Sequence, residues 1–180
     1  MKSTDKIFDG LLVLQCQSGN KKALSLLVKR HHQRLCAHSY RYTKDAEAAK
    51  DVVQESWSTI IKKLGSLKNP NSFGSWAMRI VTRKSLDFLN QYRQNRERLK
   101  SFQHSSAITE ELEEREKTIK RLQEAMRSLP KDQQIVLGLF YRENYSLKEI
   151  SNILEISTGT VKSRLYHARE KLKSILNTKS

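Results

Sequence analysis

The stretch that most constrains the fold runs from Ser146 to Leu172, SLKEISNILEISTGTVKSRLYHAREKL. Ser146 followed three residues later by Glu149 is a capping box, in which hydroxyl and carboxylate satisfy each other's free backbone N–H groups. Leu147, Ile150, Ile153 and Leu154 then recur at helical spacing, so a short helix with one apolar stripe is predicted. Glu155-Ile156-Ser157 breaks that period, and Ser157 is a good N-cap for a second helix. In the second helix Val161, Leu165, Ala168 and Leu172 share one face. The other face carries Gly159, Ser163, Tyr166 and His167, flanked by Lys162, Arg164 and Arg169. Small residues at the N-terminal end, hydrogen-bonding groups in the middle and cations at the edges suit a helix laid in a DNA groove. A basic amphipathic helix alone is usually a solvated surface. Two capped helices around a three-residue turn are a stronger sign of a helix-turn-helix.

The charge balance agrees with a polyanionic partner. Lys and Arg number 34 against 19 Asp and Glu, a net +15, with a pI near 9.9. Such an excess favours nucleic acid or an acidic protein surface. No apolar run approaches the ~20 residues of a membrane-spanning helix. The N-terminus lacks the apolar core of a signal peptide, so a cytoplasmic protein is expected. Cys16 and Cys36 fall on predicted helices and read as buried thiols. Two prolines and six glycines leave few breakers, and strand-like alternation is nearly absent. The expected class is all-α: two small helical domains joined by a flexible linker, the C-terminal one a helix-turn-helix.

In chain order, Ile7 to Gln17 is an apolar helix stopped at Ser18-Gly19-Asn20, with glycine as the cap. A second helix from about Lys21 to Tyr42 has Leu24, Leu27, Val28, His31, Leu35 and His38 along its inner stripe. No acidic residue stands at helical spacing beside His31, His32 or His38, so these read as ordinary core or surface histidines and no metal site is expected. A third helix runs from near Thr43 to Leu64. Ala49, Val52, Val53, Ser56, Ile60 and Leu64 point inward; Asp51, Gln54, Glu55 and Ser58 point outward. That acidic face reads equally as plain solvation or as a docking surface.

Gly65 to Ser72 is the clearest loop, with Gly, Pro and two Asn together. The helix after it, from Phe73 to Arg93 or beyond, is expected to turn Phe73, Trp76, Ala77, Ile80 and Lys84 to one side. Arg79, Thr82, Arg83, Asn90, Arg93, Arg96 and Arg98 would form a basic side. Aromatic residues beside a cationic ridge suit single-stranded nucleic acid, although helical spacing favours core positions for Phe73 and Trp76. Periodicity fades from Asn95 to Lys117, where five glutamates crowd residues 110–116, which suggests a linker. Beyond it one helix carries Ile119, Leu122, Met126 and Leu129. Pro130 separates it from another that is expected to bury Ile135, Val136, Leu139 and Phe140. The domains would be 1–95 and 118–180, with 96–117 between them.

Four stretches carry a family resemblance. Asp51-Val-Val-Gln-Glu-Ser-Trp57 resembles the Asp-x-x-Gln-Glu-x-aromatic core of conserved region two in bacterial sigma-70 factors. Phe73-Gly-Ser-Trp-Ala-Met-Arg-Ile80 with Asp87 resembles that region's Phe-x-x-Trp signature. Leu129 to Leu137 and Gly159 to Leu165 resemble the two halves of region four. The order and spacing are those of the small extracytoplasmic-function type and cover nearly the whole chain. The resemblance implies a promoter-specificity subunit of RNA polymerase. Asp51, Gln54 and Glu55 would dock on the β′ clamp helices. Lys68, Asn69, Asn71 and Ser72 would receive a flipped-out base of the minus-ten element, with Arg79, Arg83 and Lys84 on nearby phosphates. Lys162, Ser163, Tyr166 and His167 would read the minus-thirty-five element, with Thr160 and Arg164 on phosphates. Region four would also grip the β flap, and the linker would thread towards the polymerase cleft. Most members of the family have an anti-sigma factor as a partner, and the resemblance leaves such a partner open for this chain.

Some positions depart from the family pattern. Arg83 stands where Asn is frequent, Ser151 replaces a small Ala, Glu155 replaces the turn Gly, and His167 replaces Arg. No nucleophile–base pair, carboxylate dyad or phosphate-cradling glycine loop stands out, so no enzyme and no cofactor are expected. The competing readings are a free-standing dimeric helix-turn-helix regulator and a basic helical adaptor. Neither gives both the acidic face and the polar loop a task.

Overall fold

The computed structural model describes residues 3–98 and 122–177, and among these every regular element is helical. Of the sequence-predicted linker, 96–117, residues 96–98 instead fall in the helix Phe73–Arg98; residues 99–117 and the helix position at Ile119 lie outside the described residues. The N-terminal helices form one compact unit, and the C-terminal helices supply most of a second.

The N-terminal unit has four helices: α1 (Ser3–Gln17), α2 (Lys21–Thr43), α3 (Ala46–Lys63) and α4 (Phe73–Arg98). Gly19, at φ +90°, lets the chain reverse after α1. The Gly19 N–H bonds Cys16 O and the Asn20 N–H bonds Gln15 O, which satisfies two terminal carbonyls. Asn20 then caps α2, its Oδ1 accepting from the N–H of Lys22 and Ala23. Asp45 does the same for α3, through the N–H of Ala48. Caps of this kind each stabilise by about 1 kcal/mol.

All six inward positions expected on α3 are buried, and Trp57 joins them. On α2 the buried set is Ala23, Leu27, His31, Leu35, His38, Ser39 and Tyr42. Leu24 and Val28 are half-buried. On α4 the sequence reading is displaced. Phe73, Ala77, Met78, Val81 and Ser85 are buried, whereas Ile80 and Lys84 are half-buried. Thr82, expected on the basic side, is buried too. The displacement has a polar cause. The Nε2–H of His38 donates to Thr82 Oγ1 (2.9 Å), and that hydroxyl donates to Met78 O. Ser39 and Ser85 likewise join their hydroxyls at 3.0 Å. Small polar side chains that satisfy one another can face a core that apolar periodicity alone would deny them.

The C-terminal unit contains α5, whose described part is 122–128, then α6 (Lys131–Leu137), α7 (Leu147–Leu154) and α8 (Thr158–Asn177). Within α5 the expected stripe is corrected. Ala125 is buried while Leu122 and Met126 are exposed; Leu129, just beyond, is buried as expected. After α6 the chain widens into one π turn, Gly138–Arg142. This extra residue per turn buries Leu139 but leaves Phe140 only half-buried, where the sequence predicted it buried. Asn144 at φ +53° then redirects the chain into α7.

Candidate nucleic-acid and docking surfaces

The helix-turn-helix forms as its caps predict. The Ser146 N–H donates to Glu149 Oε2 (2.9 Å), and the Glu149 N–H donates back to Ser146 Oγ (3.3 Å). Ser157 Oγ accepts from the Thr160 N–H at 3.0 Å, fixing the start of α8. Between the helices Glu155 adopts φ +56°, so the turn keeps its left-handed backbone without glycine. The Ser151 hydroxyl donates to Ile156 O at 2.5 Å, which ties α7 to the turn.

Val161, Leu165 and Ala168 of α8 are buried. Lys162, Ser163, Tyr166 and His167 are exposed on the other side. Tyr166 and His167 meet edge to face, ring centroids 5.5 Å apart. Thr160 is half-buried, and its hydroxyl pairs with Ser157 Oγ. Arg164 sits at the margin of the buried face, its Nη2 held 2.6 Å from Asp132 Oδ2.

In the N-terminal unit Asp51, Gln54 and Glu55 are all exposed on one face of α3. Lys84 of α4 reaches across to pair with Glu55. Arg79 and Arg83 are exposed on α4. The sequence reading thus placed these groups on two surfaces; packing brings the edges of those surfaces together.

The loop before α4 is built from two short 3-10 turns, Leu64–Ser66 and Pro70–Ser72. Lys68, Asn69 and Asn71 are exposed, and Ser72 is half-buried with its hydroxyl donating to Asn69 O (2.6 Å). Helix α1 supports this loop in a way that no local signal announces. The Gln17 carboxamide donates to Leu64 O and Leu67 O at 3.0 and 3.1 Å. Gly10, buried in mid-helix, lets Asn71 approach so closely that a Cβ there would overlap the Asn71 side chain. Beneath the loop Phe73 is fully buried, with His31 edge-on at 5.0 Å and Trp57 at 6.4 Å. Trp76 is half-buried, 6.1 Å from Phe73.

Two buried polar groups hold α1 and α4 against α2. Asp9, 1% exposed, accepts from Arg30 Nε (2.9 Å) and lies 2.9 Å from His31 Nε2. Burial pushes its carboxyl upward, but hydrogen bonds and charge from His31 and Arg30 together hold it below 3.8. Burial, with Arg41 and Arg34 nearby, pushes His38 down to about 3. His38 is therefore a neutral structural group whose Nδ1 accepts from Arg41. His32, in contrast, is exposed. Among the described residues no three His, Cys, Asp or Glu side chains come together as metal ligands. None of the described helices is long and apolar enough to cross a membrane.

Fold and surfaces together define a helical protein with a helix-turn-helix in one unit and an exposed acidic face and supported polar loop in the other. Family profiles give that class a sharper name: the Sigma-70 region 2 profile matches residues 27–98, and the Sigma-70, region 4 profile matches residues 119–172. The RNA polymerase sigma factor SigV of Bacillus subtilis is 31% identical, over 82% of this chain and 87% of its own. The ECF RNA polymerase sigma-E factor of Salmonella typhimurium is 28% identical over 93% of both chains. Among solved structures, CnrH, determined in complex with the cytosolic domain of CnrY, shares the fold. Its TM-score is 0.68 at 24% identity, covering 96% of this chain and 99% of that one. The chain belongs to the sigma-70 family of RNA polymerase sigma factors, in its ECF group.

Proposed function

We propose that this protein binds core RNA polymerase and directs it to promoters, acting in the cytoplasm and performing no chemistry itself. The observation that carries the reading is the presence, in one chain, of three separate devices. These are an acidic face on α3, a polar loop braced from behind by α1, and a capped recognition helix. A free-standing regulator needs only the last.

The proposed roles follow from what each device offers. Asp51, Gln54 and Glu55 present carboxylates and an amide to the β′ clamp helices. Lys68, Asn69, Asn71 and Ser72 offer donors and acceptors to a base turned out of the minus-ten element. Unstacking that base costs a few kcal/mol, which the loop and the α4 cations Arg79, Arg83 and Lys84 offset once polymerase positions them. Lys162, Ser163, Tyr166 and His167 face the minus-thirty-five element, where base edges are read. The C-terminal unit also meets the β flap, and the segment between the units runs towards the polymerase cleft. The solved relative RpoE of Bartonella quintana was determined with the anti-sigma factor NepR. A protein inhibitor of that general kind is proposed for this chain as well.

Reconstitution with sigma-free core polymerase on genomic promoter fragments tests the reading. Start-site-specific transcripts that require this protein are the expected result. Transcription indifferent to its addition, with tight dimeric binding to a palindrome, would overturn it.

A further inference from the structure

The two arginines flanking the reading face of α8 are in different electrostatic states. Arg164 faces Asp132 at 2.6 Å, so its charge is already matched. Arg169 is exposed. Its Nε donates to the Tyr141 hydroxyl at 2.7 Å, and its guanidinium lies over two rings, 5.7 Å from the Phe140 centroid and 5.4 Å from that of Tyr141. Those rings hold each other edge to face at 5.0 Å. Among the described residues no carboxylate pairs with Arg169. The π turn Gly138–Arg142 is the element that brings Tyr141, more than half exposed, to this place.

From these contacts we infer that Arg169, oriented by Tyr141, is the backbone-phosphate anchor of the recognition helix, and that Arg164 is a structural tie between α6 and α8. Lys162, Tyr166 and Arg169 are spaced i, i+4 and i+7, so the anchor continues the exposed reading stripe. A guanidinium fixed by a hydroxyl and two aromatic faces loses little freedom on binding, and its remaining N–H groups are free to fork a phosphate. A phosphate approaching Arg164 must instead displace a carboxylate. Tyr141 is a positioning residue in this arrangement, since it acts through Arg169.

The inference rests on the reading of α8 as a recognition helix, and the test separates the two. Affinity of the full-length protein for a mixed-sequence duplex is measured against salt concentration. Each phosphate neutralised contributes about 0.9 to the log–log slope. Arg169→Ala is expected to weaken binding several-fold and to lower the slope by about one, with sequence preference unchanged. Tyr141→Phe, which keeps the ring and loses the hydroxyl, weakens binding less and in the same direction. Arg164→Ala leaves the slope as it is; thermal melting reads any loss of its structural tie, and Arg169→Lys serves should the alanine variant unfold. If Arg169→Ala keeps the wild-type slope, or if the slope falls in Arg164→Ala instead, the inference is overturned while the reading of α8 stands. Unchanged duplex binding with weakened binding to core polymerase overturns it in favour of a protein contact. A wild-type protein with no salt-dependent duplex binding overturns both.

Discussion

Glu55 on the outer face of α3 pairs with Lys84 on α4, so a residue proposed to meet polymerase holds one proposed to meet the opened strand. The carboxylate end is 70% exposed and the lysine 23%, so the lysine stem is covered by protein while Glu55 remains open to a partner. Exposed pairs of this kind contribute about 0–1 kcal/mol, so either side chain can be changed with little loss of stability.

The first prediction uses that pair. Glu55→Lys should weaken binding to core polymerase at least about tenfold, a loss of about 1.4 kcal/mol, and leave duplex affinity of α8 intact. Lys84→Ala should leave polymerase affinity near wild type and reduce promoter opening. Titration with labelled core polymerase and permanganate footprinting of opened bases read the two effects separately. Loss of duplex binding in Glu55→Lys would argue against the docking role.

Gly10 supplies the second. Gly10→Ala raises helix propensity by about 1 kcal/mol, but its methyl group must displace Asn71, whose backbone N lies 3.3 Å from the new carbon. Promoter opening should fall several-fold while polymerase affinity is retained, because the disturbance is confined to the loop. An Asn71→Ala partner variant should relieve the clash at the side chain, and the double variant should open promoters no worse than Asn71→Ala alone.

Acid sensitivity is the third. His38 is held down to about 3 when folded against an ordinary value of 6.5, so the unfolded chain binds more protons between those limits. Stability contributed by this group is complete above 6.5 and is lost as pH falls towards 3, by at most about 1.4 kcal/mol per pH unit. Asp9, held below 3.8, adds a loss of the same sign only at lower pH, as its carboxylate becomes protonated. Urea unfolding at a series of pH values should show the midpoint falling below pH 6.5, and His38→Gln should flatten that decline. Identical slopes in both proteins would contradict the assignment.

A fourth concerns Lys44, which ends α2 at φ +58° with its N–H bonded to Tyr40 O. A left-handed conformation costs a residue with a Cβ about 1 kcal/mol or more. Lys44→Gly should therefore raise the urea midpoint of the N-terminal unit without altering polymerase or DNA affinity. A lowered midpoint would mean the lysine side chain is worth more than the strain.

Much of the candidate site's local structure was legible because it is written in local code. Ser146 and Glu149, Ser157 and the faces of α3 and α8 depend on spacings of three and four residues, which hydrogen-bond geometry makes readable within one turn. Where polar groups entered the core, local pattern failed. Thr82 and Ser85 break the apolar period of α4, and only the opposing His38 and Ser39 explain their burial. Phe140 was misplaced because a π turn shifts every later side chain by a fraction of a turn, and no composition rule marks where it falls.

By itself the sequence determined the helical class, the capped second helix of the helix-turn-helix, the outward acidic face of α3 and the polar loop, since each follows from backbone capping or apolar periodicity along a single segment. The tertiary structure alone decided which distant groups meet: Asp9 with His31, Gln17 with the loop carbonyls, Gly10 with Asn71, and Tyr141 with Arg169. The reason is physical. A buried carboxylate or an oriented guanidinium acquires its partner from whichever helix packs opposite, and the order of residues along one helix carries no record of that neighbour.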